Sequence, residues 1–146
     1  MNWAELQAAK RVTPEPTTKE ELDELRGLVA RNLKDASAPG LSADGRYEFG
    51  YNALRTLATI VIRASGYRVK SAKGGHYHTF LALEAADAVF AEQAAIGDAA
   101  RQKRNDFSYE SAGVVSDTEA DDLLEQVLTF QKDVERWVAA NHPELA

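Results

Sequence analysis

Three cations crowd two helical turns of an acidic chain: Arg101, Lys103 and Arg104, followed at once by Asn105 and, one turn on, by Tyr109. The formal net charge is -6, so a compact cationic surface here marks a place to hold an anion. At helical spacing Arg101, Arg104, Asn105 and Ser108 share one face. Two guanidiniums on that face would grip a phosphate through forked, charge-assisted hydrogen bonds, with Asn105 adding a neutral donor or acceptor. Tyr109 would stack on a base or hydrogen-bond to it. The plainer alternative is a solvated basic face paired with acidic neighbours and anchored by Phe107.

A second constellation lies upstream. Between Glu48 and Glu84 there is no acidic residue, while Arg55, Arg63, Arg68, Lys70 and Lys73 all fall in that interval. In its second half Tyr67 and Tyr77 alternate with the cations, the pattern with which proteins hold single-stranded RNA: charge for phosphate, rings for unpaired bases. Gly74 and Gly75 do not form a nucleotide-binding P-loop, because no Gly-Lys-Ser/Thr follows them. His76 and His78 titrate in a range useful for proton transfer. Two residues apart on a helix, they point in different directions. Without cysteine or a matched carboxylate they are a weak ligand set, so no metal site is expected. No cofactor is expected either.

The chain of 146 residues is long enough for one domain with its own core. It contains no cysteine, which removes disulfides and thiolate chemistry and fits a reducing, cytoplasmic setting. The most apolar window, residues 54–62, is too short to span a bilayer. The first ten residues lack a signal-peptide core. The acidic balance argues against broad duplex binding, which needs many cation–phosphate contacts.

Apolar periodicity predicts helices nearly throughout. A short helix over residues 2–11 precedes a flexible linker near 12–17. Thr18-x-x-Glu21 reads as a capping box opening a helix with the stripe Leu22, Leu25, Val29 and Leu33. A central helix over 42–65 carries Tyr47, Tyr51, Leu54, Ala58 and Val61 and stops at Gly66. The next helix, about 76–92, has a stripe interrupted by Asp87, and Gly97 is an expected break before the helix bearing Arg104. Ser116-x-x-Glu119 caps the last helix, whose seam is Leu123, Val127, Phe130, Val134 and Trp137. The runs at 67–69 and 114–115 are too short to build a sheet. The expected architecture is an all-α antiparallel bundle of four to five main helices over residues 18–146, after an N-terminal piece over 1–17.

Arg104-Asn105-x-x-x-Tyr109 resembles the signature of the HEPN superfamily (higher eukaryotes and prokaryotes nucleotide-binding domains), an Arg-x(4 to 6)-His motif often begun Arg-Asn. Tyr51-Asn52, the run from Arg63 to Lys70 and Gly75-His76-x-His78 are similar to a bacterial subgroup with Tyr at the His place. The resemblance covers roughly residues 18–140. It implies a small helical bundle, commonly a homodimer, that binds RNA or a nucleotide. It also implies a metal-independent endoribonuclease of toxin–antitoxin or phage-defence systems, in which Arg104 stabilises charge on the scissile phosphate. Here Tyr109 stands where the proton-moving His belongs, and a phenol with a pKa of about 10 is a poor base at neutral pH. Arg104, Asn105 and Tyr109 are thus the candidate catalytic group. Arg101, Lys103, Arg63, Arg68, Lys70, His76 and His78 are the candidate phosphate ligands. The competing expectation is a non-catalytic module that docks an acidic partner such as a cognate antitoxin or nucleotidyltransferase.

Overall fold

The structure, a computed structural model, describes residues 1–70, 74–109 and 115–146, and the side chains of 107–109 fall outside that description. Lys73 and the side chains of Phe107, Ser108 and Tyr109 therefore lie outside the described residues. The elements are α1 (Trp3–Ala8), β1 (Val12–Pro14), α2 (Lys19–Ala36), α3 (Ala43–Ala64), β2 (Tyr67–Val69), α4 (Gly75–Ala86), α5 (Ala91–Tyr109) and α6 (Asp117–Asn141). Short 3-10 turns at Ala88–Phe90 and Pro143–Leu145 complete the chain order. Five long helices around a main core make this the expected all-α bundle.

α3 is the central element. It packs against α2 and α6 and also meets α4 and α5. Its apolar arc is wide enough to touch all four: Tyr51, Leu54, Leu57, Ile60 and Val61 are buried almost completely. The seam of α6 enters the same core through Leu123, Val127, Phe130 and Val134, as its periodicity predicts. Trp137 is only partly buried at the core edge, where Val138 is buried fully. Helix starts follow local chemistry closely. The Ser42 hydroxyl accepts from Gly45 N, and Ser116 and Glu119 form the reciprocal box read from the sequence.

Three local expectations are revised. The Thr18 hydroxyl does cap α2, but Glu21 does not reach back to close the box. Its carboxylate goes instead to the Thr17 hydroxyl at 2.6 Å and to Arg63 and Arg68. The stretch expected to be a flexible linker contains β1, which pairs antiparallel with β2 in the register Val12↔Val69, Thr13↔Arg68, Pro14↔Tyr67. Neither triplet has a strand pattern of its own. Burial supplies what the pattern lacks, because Val12 joins Leu6, Ile62 and Ala82 in a second apolar cluster, and Trp3 stacks on Tyr67 at 4.1 Å.

The third revision concerns the break between α4 and α5. It falls at Asp87, not at Gly97, which lies inside α5. Asp87 leaves the helical conformation (φ -162°), caps the following turn at Val89 N and accepts from Trp137 Nε1 at 3.0 Å. Gly97 serves packing. A Cβ there would lie 2.7 Å from Phe80 Cζ and closer to two other carbons of that buried ring. Gly97→Ala should therefore lose about 1–3 kcal/mol to overpacking, more than the roughly 1 kcal/mol that alanine gains by helix propensity. Urea unfolding checks this, and a variant more stable than the parent would refute the packing role.

Candidate anion-binding site

The cations of the two constellations meet at a cavity of about 670 Å³ lined by α3, β2 with Lys70, the start of α4 and the last turns of α5. Arg55, Arg63, Arg68, Lys70, His76, Tyr77, Arg101 and Asn105 line it, with Thr59 and Thr79. No carboxylate is among the described lining residues, which is notable in a chain with an excess of acids.

The cations are not equivalent. Arg63 has a side chain only 3% exposed, and every guanidinium nitrogen is engaged. Nε donates to Glu21 Oε1, Nη1 to the carbonyls of Glu15 and Tyr67, and Nη2 to that of Pro16. Arg68 is held by Glu15 and Glu21. The Thr17 hydroxyl, and then the Arg63 and Arg68 guanidiniums, hold the Glu21 carboxyl below the usual carboxylate range against an opposing desolvation. Arg101 donates to Asp98 Oδ1 at 2.9 Å, and its Cζ lies 5.5 Å from the ring centroid of Tyr77, which is 41% exposed. Arg55 and Lys70 differ from these: among the described residues neither has an ion pair or a side-chain hydrogen bond. Arg55 Nε is buried and unpartnered. An unsatisfied donor of that kind is uncommon, since its desolvation is uncompensated.

The opening of α4 adds donors. Its N-cap is Gly74, in the left-handed conformation (φ 89°), and no side chain caps the helix. The amides of Gly75, His76 and Tyr77 therefore have no acceptor among the described residues, at the positive end of the α4 dipole.

Asn105 lines the cavity, but Arg104 beside it does not. One residue along a helix is a turn of about 100°, which here carries Arg104 away from the wall that Asn105 joins. Arg104 Nε reaches both oxygens of Glu48 at 3.1 and 3.0 Å, and its Cζ lies 5.6 Å from the Tyr51 ring centroid. Such a partly exposed pair is worth about 0–1 kcal/mol, and the two terminal nitrogens have no partner among the described residues. Tyr51 links Arg104 to the cavity, because its hydroxyl hydrogen-bonds His76 Nδ1 at 2.8 Å. Burial pushes the Tyr51 phenol up to about 12. It also pushes His76 down to about 4, with Arg55, Arg104 and Arg101 adding to the shift. Both groups are neutral at pH 7.

Other predicted residues lie elsewhere. Lys103 pairs with Glu119 at 3.2 Å and faces α6. His78 is half-buried outside the cavity lining, with its pKa lowered by burial and then by Arg11. The Tyr109 side chain lies outside the described residues. Sequence reasoning did not single out Arg55 as a ligand, nor Tyr51 and Glu48 as supports. The available signal was an arginine inside the most apolar window of the central helix, four residues after Tyr51. Among the described residues no group of three His, Asp or Glu is placed to hold a metal, and no helix is long and apolar enough to cross a membrane. Comparison with family models, with characterised proteins and with solved structures found no match.

The His76 ring should titrate near pH 4 by NMR, against about 6.5 for an ordinary histidine. Replacing Arg55 with Met should move the midpoint upward. Because the folded value is depressed, the unfolded chain binds the extra proton between those limits, so stability should fall as pH drops from about 6.5 to 4. A midpoint near 6.5 in the parent protein would contradict the desolvated, cation-flanked placement.

Proposed function

We propose that this protein is a HEPN-like bundle that binds the phosphate of RNA or of a nucleotide in the cavity between α3, α4 and α5. One observation carries the reading: a cavity lined by cations and by no described carboxylate, in which neither Arg55 nor Lys70 has a counterion among the described residues. Cations left without counterions at one cavity give it a positive potential that an anionic ligand neutralises. Lys70, the open amides of α4 and the carboxamide of Asn105 extend the same donor surface. Tyr77 offers an exposed ring at the wall, suited to stacking on a base, and Arg101 lies beside it.

Binding is the core of this reading, and strand cleavage is a separate property. Arg104 lies outside the cavity lining, its Nε fixed by Glu48 and its terminal nitrogens without a hydrogen-bond partner among the described residues. His76, neutral and oriented by Tyr51, is the nearest described imidazole to that chemistry. Any cleavage by this constellation is metal-independent, survives chelator and is lost in Arg104→Ala.

Fluorescence anisotropy with a labelled single-stranded RNA tests the binding. Arg55→Ala should weaken it roughly 10- to 100-fold, the range for a lost hydrogen bond to a charged group. The slope of log K against log salt should fall by about 0.7 for one phosphate contact fewer. Far-UV circular dichroism should be unchanged. Equal affinity in parent and variant would remove the central role given to Arg55.

A further inference from the structure

The charges around the cavity do not cancel. Arg63 and Arg68 are matched by Glu15 and Glu21, Arg101 by Asp98, and Arg104 behind the wall by Glu48. Arg55 and Lys70 are left, so the described lining carries two positive charges without counterions. They approach from different elements, Arg55 from the middle of α3 and Lys70 from the end of the β2 strand. The first turn of α4 faces the same space and is closely packed there, since a Cβ on Gly75 would lie 3.3 Å from the Lys70 carbonyl oxygen. Arg55, Lys70 and the first turn of α4 thus line one cavity from three elements.

We infer that the cavity is built for a doubly charged phosphate monoester, the terminal phosphate of a free nucleotide or of an RNA end, and not for an internal phosphodiester. This rests on the phosphate-binding reading above and narrows it. A monoester brings close to two negative charges and three strong acceptor oxygens at neutral pH. A diester brings one charge and two unesterified oxygens, leaving one of the two cations unmatched. A helix N-terminus with free amides is suited to the same group. The space, about 670 Å³, accommodates a whole nucleotide. Neutral His76 adds no charge to this balance, and its ring nitrogen not bonded to Tyr51 remains available for a phosphate or ribose oxygen.

Isothermal titration calorimetry with adenosine 5′-monophosphate and with adenosine 3′,5′-cyclic monophosphate compares a monoester with a diester on one nucleoside. One RNA sequence carrying 5′-phosphate, 3′-phosphate or hydroxyl ends distinguishes a free nucleotide from an RNA terminus. At pH 7.5 the monoester probe of the preferred source should bind about tenfold or more tightly than its diester or hydroxyl counterpart. That corresponds to about 1.4 kcal/mol. Arg55→Ala and Lys70→Ala, confirmed folded by circular dichroism, should each erase most of the difference. The preference should also shrink at pH 5, below the phosphate second pKa of about 6. Equal binding of monoester and diester would overturn the narrower inference and leave phosphate binding standing. Absence of binding by every probe would overturn both.

Discussion

The buried guanidinium of Arg63 organises the end of the molecule on which the site is built. One side chain ties the last turn of α3 to the carbonyls of Glu15, Pro16 and Tyr67 and to the carboxylates of Glu15 and Glu21. A charge this deep is tolerated because each nitrogen is satisfied and counterions are in contact. The consequence is geometric. With the chain before α2 and the chain after α3 held to the same atom group, β1 meets β2, and Lys70 and the opening of α4 are delivered beside Arg55. The knot also occupies Glu15 and Glu21, so they neutralise Arg63 and Arg68 and leave the remaining cations alone.

α3 supplies both core and site by a simple rule of spacing. Tyr51, Arg55, Thr59 and Arg63 recur every four residues and form one ridge along α3. The other faces carry Leu54, Leu57, Ile60 and Val61 into the core. Across the cavity, Arg101 and Asn105 repeat the same spacing on α5. Arg104, one step out of that register, turns to Glu48 and Tyr51. It therefore lies beside the cavity, and Tyr51, hydrogen-bonded to His76, stands between it and the wall. In that setting low dielectric and three arginines keep the imidazole uncharged, so the positive charge available to a ligand resides in groups that do not titrate near neutrality.

Sequence patterns were most reliable where the interactions are local. Ser42 and Ser116 cap their helices through atoms three residues away, and Gly66 takes the left-handed conformation expected of a helix stop (φ 90°). Glu21 shows how far that reliability extends. Thr18-x-x-Glu21 has the spacing of a box, but two distant guanidiniums and a neighbouring hydroxyl outcompete a single backbone amide. Gly97 was misread for a related reason: the glycine is needed because Phe80 packs there from another helix.

Composition and periodicity by themselves determined the all-α class, the core stripes of α2, α3 and α6, and the two basic stretches. All of these are set by residues within a turn or two of one another. Tertiary structure alone decided which cations remain uncompensated, because counterions such as Glu15, Glu21 and Glu48 are brought in from far along the chain. It likewise chose Arg55 over Arg63 as the open donor, and parted Arg104 from Asn105. Those outcomes depend on which faces of separate helices meet, and linear spacing carries no record of that.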